Sequence, residues 1–140
     1  YRCRWEIEVF FRILKTGCRV EQREFHTAKA MQVCLCTFLI VAWRIRYLQQ
    51  LARSHPSAPC TVCCTDEEWQ ALHRMVTRTP LPAAPPTLAE FIRLLGRAGG
   101  HLGRKGDGLP GPKHLWQGLL ALRHYLAAWH DFTNTSERCV

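Results

Sequence analysis

The stretch TLAEFIRLLGRAGG, residues 87–100, has the features of a complete short helix. Thr87 and Glu90 stand three residues apart, as in a capping box, where each side chain bonds the other residue's backbone N–H. Apolar residues follow at helical spacing. Gly99 and Gly100 come directly after them and are typical of a helix end. The stretch therefore predicts a capped amphipathic helix.

Two more helices are predicted around this one. Thr65 and Glu68 form a second capping box, and the helix it begins has one apolar face, made by Trp69, Leu72 and Met75. After a glycine-rich loop at 101–112, a helix over about 113–132 carries a leucine stripe: Leu115, Leu119, Leu122 and Leu126. This stripe either pairs with a partner helix or fills the core of its own module. Residues 65–140 are thus predicted to form a helical module.

The chain before this module also reads as helical. A first helix spans about residues 1–15 and ends at Thr16-Gly17. A second helix, over about 27–53, is apolar nearly all round, which predicts packing on several sides. Its uncharged run, 30–43, is shorter than the roughly 20 residues a bilayer requires, so we expect a core helix and no membrane partner. Residues 54–64, SHPSAPCTVCC, read as a linker. The predicted fold class is mainly α.

The charge of the chain favours a polyanionic partner. Lys and Arg number 19 against 11 Asp and Glu, a formal net charge of +8. Nucleic acid is favoured over a membrane, and the alternative is a basic but merely solvated surface. A hydrophobic fraction of 47% is sufficient for a core.

The eight cysteines suit buried, reduced thiols better than a disulfide framework, because the arginine-rich start is not a secretory signal. Cys60 and Cys63 form a CxxC with Cys64 beside it, but no second pair completes a zinc site, so we expect no zinc. The loop at 101–112 lacks the spacing of a nucleotide-binding loop. Its Arg104 and Lys105 are either DNA contacts or a solvated loop tip.

The first helix carries a row of polar side chains. At about 100° per residue, four of them fall within a sector of about 60° and span about 21 Å: Tyr1, Arg4, Glu8 and Lys15. One reading is a solvated face with an ordinary Arg4–Glu8 pair. The other is a row of contacts along one strand of nucleic acid.

The order Tyr, two residues, Arg, three residues, Glu, six residues, Lys resembles the signature of bacterial IS4-family, Tn5-like DDE transposases. Neighbouring residues agree with it, at RW (Arg4-Trp5), IE (Ile7-Glu8) and KTG (15–17). The stretch 20–53, VEQREFHTAKAMQVCLCTFLIVAWRIRYLQQLAR, resembles the next segment of that family. Residues 65–73 and 79–119 resemble its C-terminal dimerisation region.

This resemblance implies a division of the chain. Residues 1–53 would be the C-terminal helices of a ribonuclease H-like catalytic core, 54–64 a linker and 65–140 a dimerisation module. It also implies a chemistry, Mg²⁺-dependent phosphoryl transfer at transposon ends. Glu8 would be the third metal-binding carboxylate. The resemblance places Trp5 beside the distorted DNA end, unless it is a core tryptophan, and puts four residues on DNA phosphates: Tyr1, Arg4, Arg12 and Lys15.

The metal-binding aspartates of the family lie on strands before the glutamate. The aspartates of this sequence, Asp66, Asp107 and Asp131, all follow Glu8, and none follows a hydrophobic strand. One carboxylate does not hold two Mg²⁺ ions. We therefore expect a C-terminal transposase fragment that does not cleave DNA alone, in a bacterial cytoplasm and on the nucleoid when bound to DNA. Its partners would be transposon ends and a second or full-length transposase subunit. The alternative is a stand-alone helical module that regulates or inhibits a full-length enzyme.

Overall fold

A computed structural model describes residues 2–17, 20–104 and 106–138 of the chain. Five α-helices follow in order: α1 Arg2–Arg12, α2 Ala28–Ser54, α3 Asp66–Thr77, α4 Leu88–Ala98 and α5 Pro112–Arg138. Short helical turns lie between them, at Ile13–Gly17 (π type), Val20–Gln22 and Cys60–Val62 (both 3-10 type). Within these residues the chain is helical and has no strand, only an isolated bridge between Pro59 and Thr87. The mainly α prediction is confirmed at this level.

Both predicted capping boxes are present. The amide of Glu68 donates to Thr65 Oγ1 over 3.2 Å, and the amide of Thr65 donates to Glu68 Oε2 over 3.0 Å. At α4, the amide of Glu90 donates to Thr87 Oγ1 over 3.3 Å, and Thr87 returns its amide to Glu90 Oε2 over 2.9 Å. Each box satisfies two of the backbone N–H groups that a helix start leaves without a partner.

Helix α4 lies at the centre of the C-terminal module, with α3, α5 and α2 packed around it. Its apolar face is fully buried through Leu88, Ile92 and Leu95. Leu72 of α3 and Leu115 of α5 are equally inaccessible and complete the same core. Burying a leucine side chain contributes about 1.5–3 kcal/mol, so this layer is the main source of stability for the module.

Glycines set the distance between α4 and α5. A Cβ atom on Gly118 would collide with the backbone carbonyl oxygen of Leu95, and one on Gly99 would collide with the carbonyl oxygen of His114. The two helices therefore approach at backbone distance in two places. A side chain at either position would have to push a backbone aside, since a carbonyl cannot rotate away as a flexible side chain does.

The long helix α2 differs from its prediction. Its buried residues lie on one side only: Phe38, Ala42, Ile45, Leu48, Gln49 and Ala52. Large apolar side chains elsewhere on it are exposed, among them Val33 (61%), Ile40 (68%) and Trp43 (61%). The expectation of packing on several sides is thus wrong within the described residues, because the contacts of α2 come from one direction.

Helix α2 is also long and apolar enough to cross a membrane, by length and composition only. Its most apolar window has a mean hydropathy of 1.5, and 17% of that window is buried. The uncharged run 30–43 is shorter than this window, because the apolar window tolerates isolated basic residues. Core helices of soluble proteins pass the same test.

Candidate functional site

The polar row of α1 lies on an exposed face. Arg4 Nε is 3.5 Å from Glu8 Oε1, one helical turn away, and both side chains are open to solvent. This is the ordinary i,i+4 pair that the spacing predicted as one alternative, and such exposed pairs contribute only tenths of a kcal/mol. Their accessibility also leaves both groups free to exchange this partner for a ligand.

Lys15 and the two further DNA-contact candidates, Trp5 and Arg12, have contacts that the sequence did not indicate. Trp5 is exposed rather than in the core, and the guanidinium of Arg12 lies 6.0 Å from its ring centroid. Lys15 Nζ is 2.8 Å from Glu21 Oε1, in the short turn after α1. Tyr1 lies outside the described residues.

The helical pitch changes along this row. Residues Ile13–Gly17 form a π-type turn, so Lys15 does not follow the 100° progression used to place it on one face with Arg4 and Glu8. The wider turn packs Ile13 and Leu14 into the core. On the regular part of α1, Arg4 and Glu8 of this row share one face with Arg12, and Lys15 lies beyond it.

An ion pair between Glu6 and Arg46 holds α1 against α2. The Nε atom of Arg46 donates to Glu6 Oε2 over 2.8 Å, and Nη2 of the same guanidinium bonds the same oxygen. The guanidinium is largely buried, which limits solvent screening of this contact. Charge-assisted contacts of this kind are stronger than neutral ones, so they fix the side of α1 that carries Glu8 outward.

Glu8 does not form a metal site by itself. No group of three or more His, Cys, Asp or Glu side chains suited to a metal ion occurs among the described residues. Mg²⁺ requires near-octahedral coordination by oxygen atoms. The side chain paired with Glu8 is the guanidinium of Arg4, which is a cation and supplies no oxygen. The residues present do not fit a two-metal centre, and no catalytic step follows from Glu8 within this part of the chain.

The leucine stripe of α5 faces the protein's own core. Leu115 and Leu122 are buried, while Leu119 and Leu126 are partly buried against the same cluster. The stripe is therefore the inner face of α5, the second of its two predicted roles.

The outer, distal part of α5 carries two aromatic side chains that sequence reasoning did not single out. Trp129 is 46% exposed and Phe132 is 78% exposed. The guanidinium of Arg74 on α3 lies 5.7 Å from the Trp129 ring, and His130 Nε2 is 2.8 Å from Glu67 Oε1. These contacts fix the helix on α3 and leave its aromatic pair accessible. Trp129 and Phe132 continue the leucine stripe beyond Leu126 at a spacing of three residues, and this spacing was the signal in the sequence that could have identified them.

A cavity of about 730 Å³ lies between α3, α4 and the glycine-rich loop. Arg93 and Arg97 line it, one turn apart on α4. Of its carboxylates, Glu90 caps α4 and Asp107 accepts the amide of Arg104 over 2.8 Å. Both carboxylates accept backbone N–H groups, and with the two guanidinium groups the formal charges of the cavity lining balance.

Comparison with known protein families identifies the C-terminal module. The model of the transposase Tn5 dimerisation domain matches residues 40–137. The matched region begins within α2, contains α3 and α4 and extends through most of α5, whereas the row on α1 precedes it. No curated protein matches the chain. Because the match covers well over half of its residues, the chain belongs to the family of the transposase Tn5 dimerisation domain.

Proposed function

We propose that the chain is the C-terminal part of a cut-and-paste DDE transposase of the IS4 type, and that the distal half of α5 pairs it with a second transposase subunit. The observation that carries this proposal is the pair Trp129 and Phe132, exposed on a domain whose family is defined by dimerisation.

The two halves of α5 have different tasks in this proposal. The proximal half uses its leucines for the module's own core and approaches α4 closely at Gly118. In the distal half, Phe132 does not pack into this core. It is among the most exposed large side chains of the described chain. Aromatic side chains are enriched in the centres of protein interfaces and supply much of their binding energy. A second copy is the occupant that the dimerisation family supports.

Serine substitutions test this assignment. Phe132→Ser should weaken self-association at least tenfold, since loss of a central aromatic contact costs about 2 kcal/mol or more. Val62→Ser is the matched control, because Val62 is a 54% exposed apolar side chain that belongs to the connector before α3 and not to α5. Sedimentation velocity over a concentration series measures both. Equal weakening in the two variants, or none in Phe132→Ser, would remove α5 from the interface.

For α1 we propose the role that the family resemblance implies. Glu8 would be one Mg²⁺ ligand of the complete enzyme, with the remaining carboxylates supplied outside this set of residues. Tyr1, Arg4, Arg12 and Lys15 would contact DNA phosphates, and Trp5 the distorted end of the DNA. The support is that Arg4, Trp5 and Glu8 are all solvent-accessible on one helix.

DNA binding by this row is measurable without catalysis. Arg4→Ala combined with Lys15→Ala should reduce the slope of log affinity against log salt by about 1.8, since each lost phosphate contact removes roughly 0.9 for duplex DNA. Lys29→Ala, an exposed lysine at the start of α2, is the control for the loss of charge alone. A slope that changes equally per charge in the control would mean that the row is merely a solvated face.

The isolated chain is proposed not to cleave DNA, because it brings one carboxylate to chemistry that requires several. Incubation of the purified chain with a supercoiled plasmid and Mg²⁺ tests this, and metal-dependent nicking that is lost in Glu8→Gln would disprove it. Its proposed location is the bacterial cytoplasm, on the nucleoid when bound to DNA.

A regulatory role is the second candidate, favoured by the same exposed aromatic pair. A chain that dimerises but does not cleave would join full-length subunits and inactivate them. Co-expression with such an enzyme should lower transposition, and Phe132→Ser should restore it. Unchanged transposition on co-expression would exclude this role while leaving the dimer measurements intact.

A further inference from the structure

The connector between α2 and α3 brings together thiols that the proposed function does not use. CTVCC, residues 60–64, contains three of the free cysteines of the described chain. Cys60–Val62 is a 3-10 turn, and the amide of Cys63 donates to the carbonyl of Cys60 over 3.0 Å. A 3-10 helix rises about 2.0 Å per residue, so the Cα atoms of Cys60 and Cys63, the residue that follows this turn, lie about 6 Å apart. Disulfides span Cα distances of about 4.4–6.8 Å.

Access differs between the two thiols. Cys60 is fully buried, whereas Cys63 and Cys64 are half-buried. Cys63 Sγ lies 3.3 Å and Cys64 Sγ 3.1 Å from the carbonyl oxygen of Cys60. A dissolved reagent therefore reaches Cys63 before Cys60.

The protonation of the cluster is uneven as well. A hydrogen bond from the Cys64 thiol lowers the pKa of Cys63, and the nearby Arg44 guanidinium lowers it further, although burial and Glu68 oppose both. The pKa of Cys64 is raised by hydrogen bonds to Cys63 and Cys60 and by burial, and burial also raises the pKa of Cys60. Since a thiolate is the nucleophilic form of cysteine, these opposite pKa shifts favour Cys63 as the nucleophile over Cys60 and Cys64.

We propose that Cys60 and Cys63 form a thiol–disulfide exchange site, with Cys63 as the attacking thiol and a small-molecule disulfide as the co-reactant. The Cys63 thiolate attacks one sulfur of the reagent, a mixed disulfide forms, and one equivalent of the reagent's thiolate leaves. Cys60 then attacks the Cys63 sulfur, releases the second equivalent as a thiol and closes the Cys60–Cys63 bond. The protein loses two electrons and two protons, and the reagent gains both.

The adjacent pair Cys63 and Cys64 is a poorer product. Consecutive Cα atoms lie about 3.8 Å apart across a trans peptide, below the usual disulfide range. Cys64 instead favours the thiolate of its neighbour Cys63, and its own Sγ lies 3.1 Å from the Cys60 carbonyl oxygen.

The site lies where the connector is tied to α4. The amide of Cys60 donates to the carbonyl of Pro86 over 2.9 Å, and the amide of Leu88 donates to the carbonyl of Ala58 over 2.8 Å. A disulfide in this turn stiffens the segment that holds the start of α4. Hydrogen exchange at Leu88 should therefore be slower in the oxidised chain than in the reduced one.

The test uses the whole purified chain, reduced and then exposed to glutathione disulfide, with trapping by alkylation and mass spectrometry of the peptide 54–74. An intramolecular Cys60–Cys63 bond is expected, and exposed Cys36 on α2 should react after Cys63. Cys63→Ser should abolish the bond. Cys60→Ala should stop the reaction at the mixed disulfide on Cys63. Cys36→Ser is the matched control and should behave as wild type, and far-UV circular dichroism verifies folding of each variant.

Three results would overturn the proposal. One is modification of Cys36 before Cys63. Another is an intramolecular disulfide that forms undiminished in Cys60→Ala, which would assign it to Cys63 and Cys64. The third is a disulfide that persists in Cys63→Ser, which would assign it to Cys60 and Cys64. None of these results depends on dimerisation, so the disulfide proposal is tested independently of the proposed function.

Discussion

Glu90 illustrates how one side chain supports a whole helix. Its carboxylate accepts the Thr87 amide and the Thr87 hydroxyl, each over 2.9 Å. These two bonds, with Arg93 contributing less, lower the pKa of Glu90 because they favour the charged form. A carboxylate with a lowered folded-state pKa stabilises the fold fully above its unfolded value of about 4.3, and this contribution is lost as the pH falls through the folded value.

Glu90→Gln should therefore reduce the acid sensitivity of folding. Glutamine still accepts the Thr87 amide but does not titrate, so its stability should fall less than that of the wild type between about pH 5 and pH 3. Urea unfolding at a series of pH values measures the difference. Glu24→Gln removes a carboxylate outside any helix cap and serves as the control, and identical pH slopes for the two variants would contradict this assignment.

Single residues were predictable where their partners lie within one turn. The boxes of Thr65 and Thr87 and the pair of Arg4 with Glu8 follow from local spacing alone. The contacts of Arg46 with Glu6 and of Gln49 Nε2 with the Pro110 carbonyl, at 3.3 Å, join residues far apart in sequence. Such pairs depend on how the helices pack, and periodicity carries no information about them.

Among the elements, α4 and α5 form the closest contact, and its cause is the absence of side chains. Gly118 is buried beside the Leu95 carbonyl, and Gly99 beside that of His114. The sequence marked Gly99 as a helix end, which is where it lies, but gave no sign that it also admits the backbone of α5. A glycine that both ends a helix and admits a neighbouring backbone cannot be distinguished in the sequence from one that only ends a helix.

Gly118→Ala should destabilise the module by about 2 kcal/mol. Overpacking costs about 1–3 kcal/mol, a clash with a backbone carbonyl belongs at the upper end of that range, and the better helix propensity of alanine offsets about 1 kcal/mol of it. Gly108→Ala, at a loop glycine with open space around its Cβ position, is the matched control and should be near neutral. Chemical denaturation measures both. A Gly118→Ala protein as stable as wild type would mean that α4 and α5 are not in backbone contact.

Most helix boundaries were predicted well and helix environments less well. The capping-box starts of α3 and α4 and the end of α4 at Gly99 agree with the local signals, whereas α5 extends to Arg138, past its predicted end near residue 132. The π-type turn at Ile13–Gly17 has no such signal, because the core positions of Ile13 and Leu14 determine it. The one-sided burial of α2 was missed for the related reason that an apolar surface does not reveal which part of it is covered.

In the molecule as a whole, one apolar face of α2 is not covered by the packing of the described chain. Val33, Ile40 and Trp43 are exposed on it, and Trp43 stacks on Tyr47 at 5.3 Å between ring centroids. Large exposed apolar patches typically mark interaction surfaces. We propose that the remainder of the ribonuclease H-like core covers this face in the complete transposase.

Ile40→Lys should therefore raise the solubility of the isolated chain without lowering its melting temperature, because it removes apolar surface from water and breaks no core contact. Ile45→Lys, on the buried face of the same helix, is the contrasting variant and should prevent folding. Static light scattering and thermal unfolding measure the two effects. A large loss of thermal stability in Ile40→Lys would show that its face is packed within this chain.

If this transposase Tn5-type module pairs two subunits, the mass of the wild-type chain in solution depends on its concentration. Sedimentation equilibrium over a wide concentration range should give a reversible equilibrium between the 16.2 kDa monomer and a species of twice that mass. A chain that remains a folded monomer at every concentration would show that the module does not pair subunits.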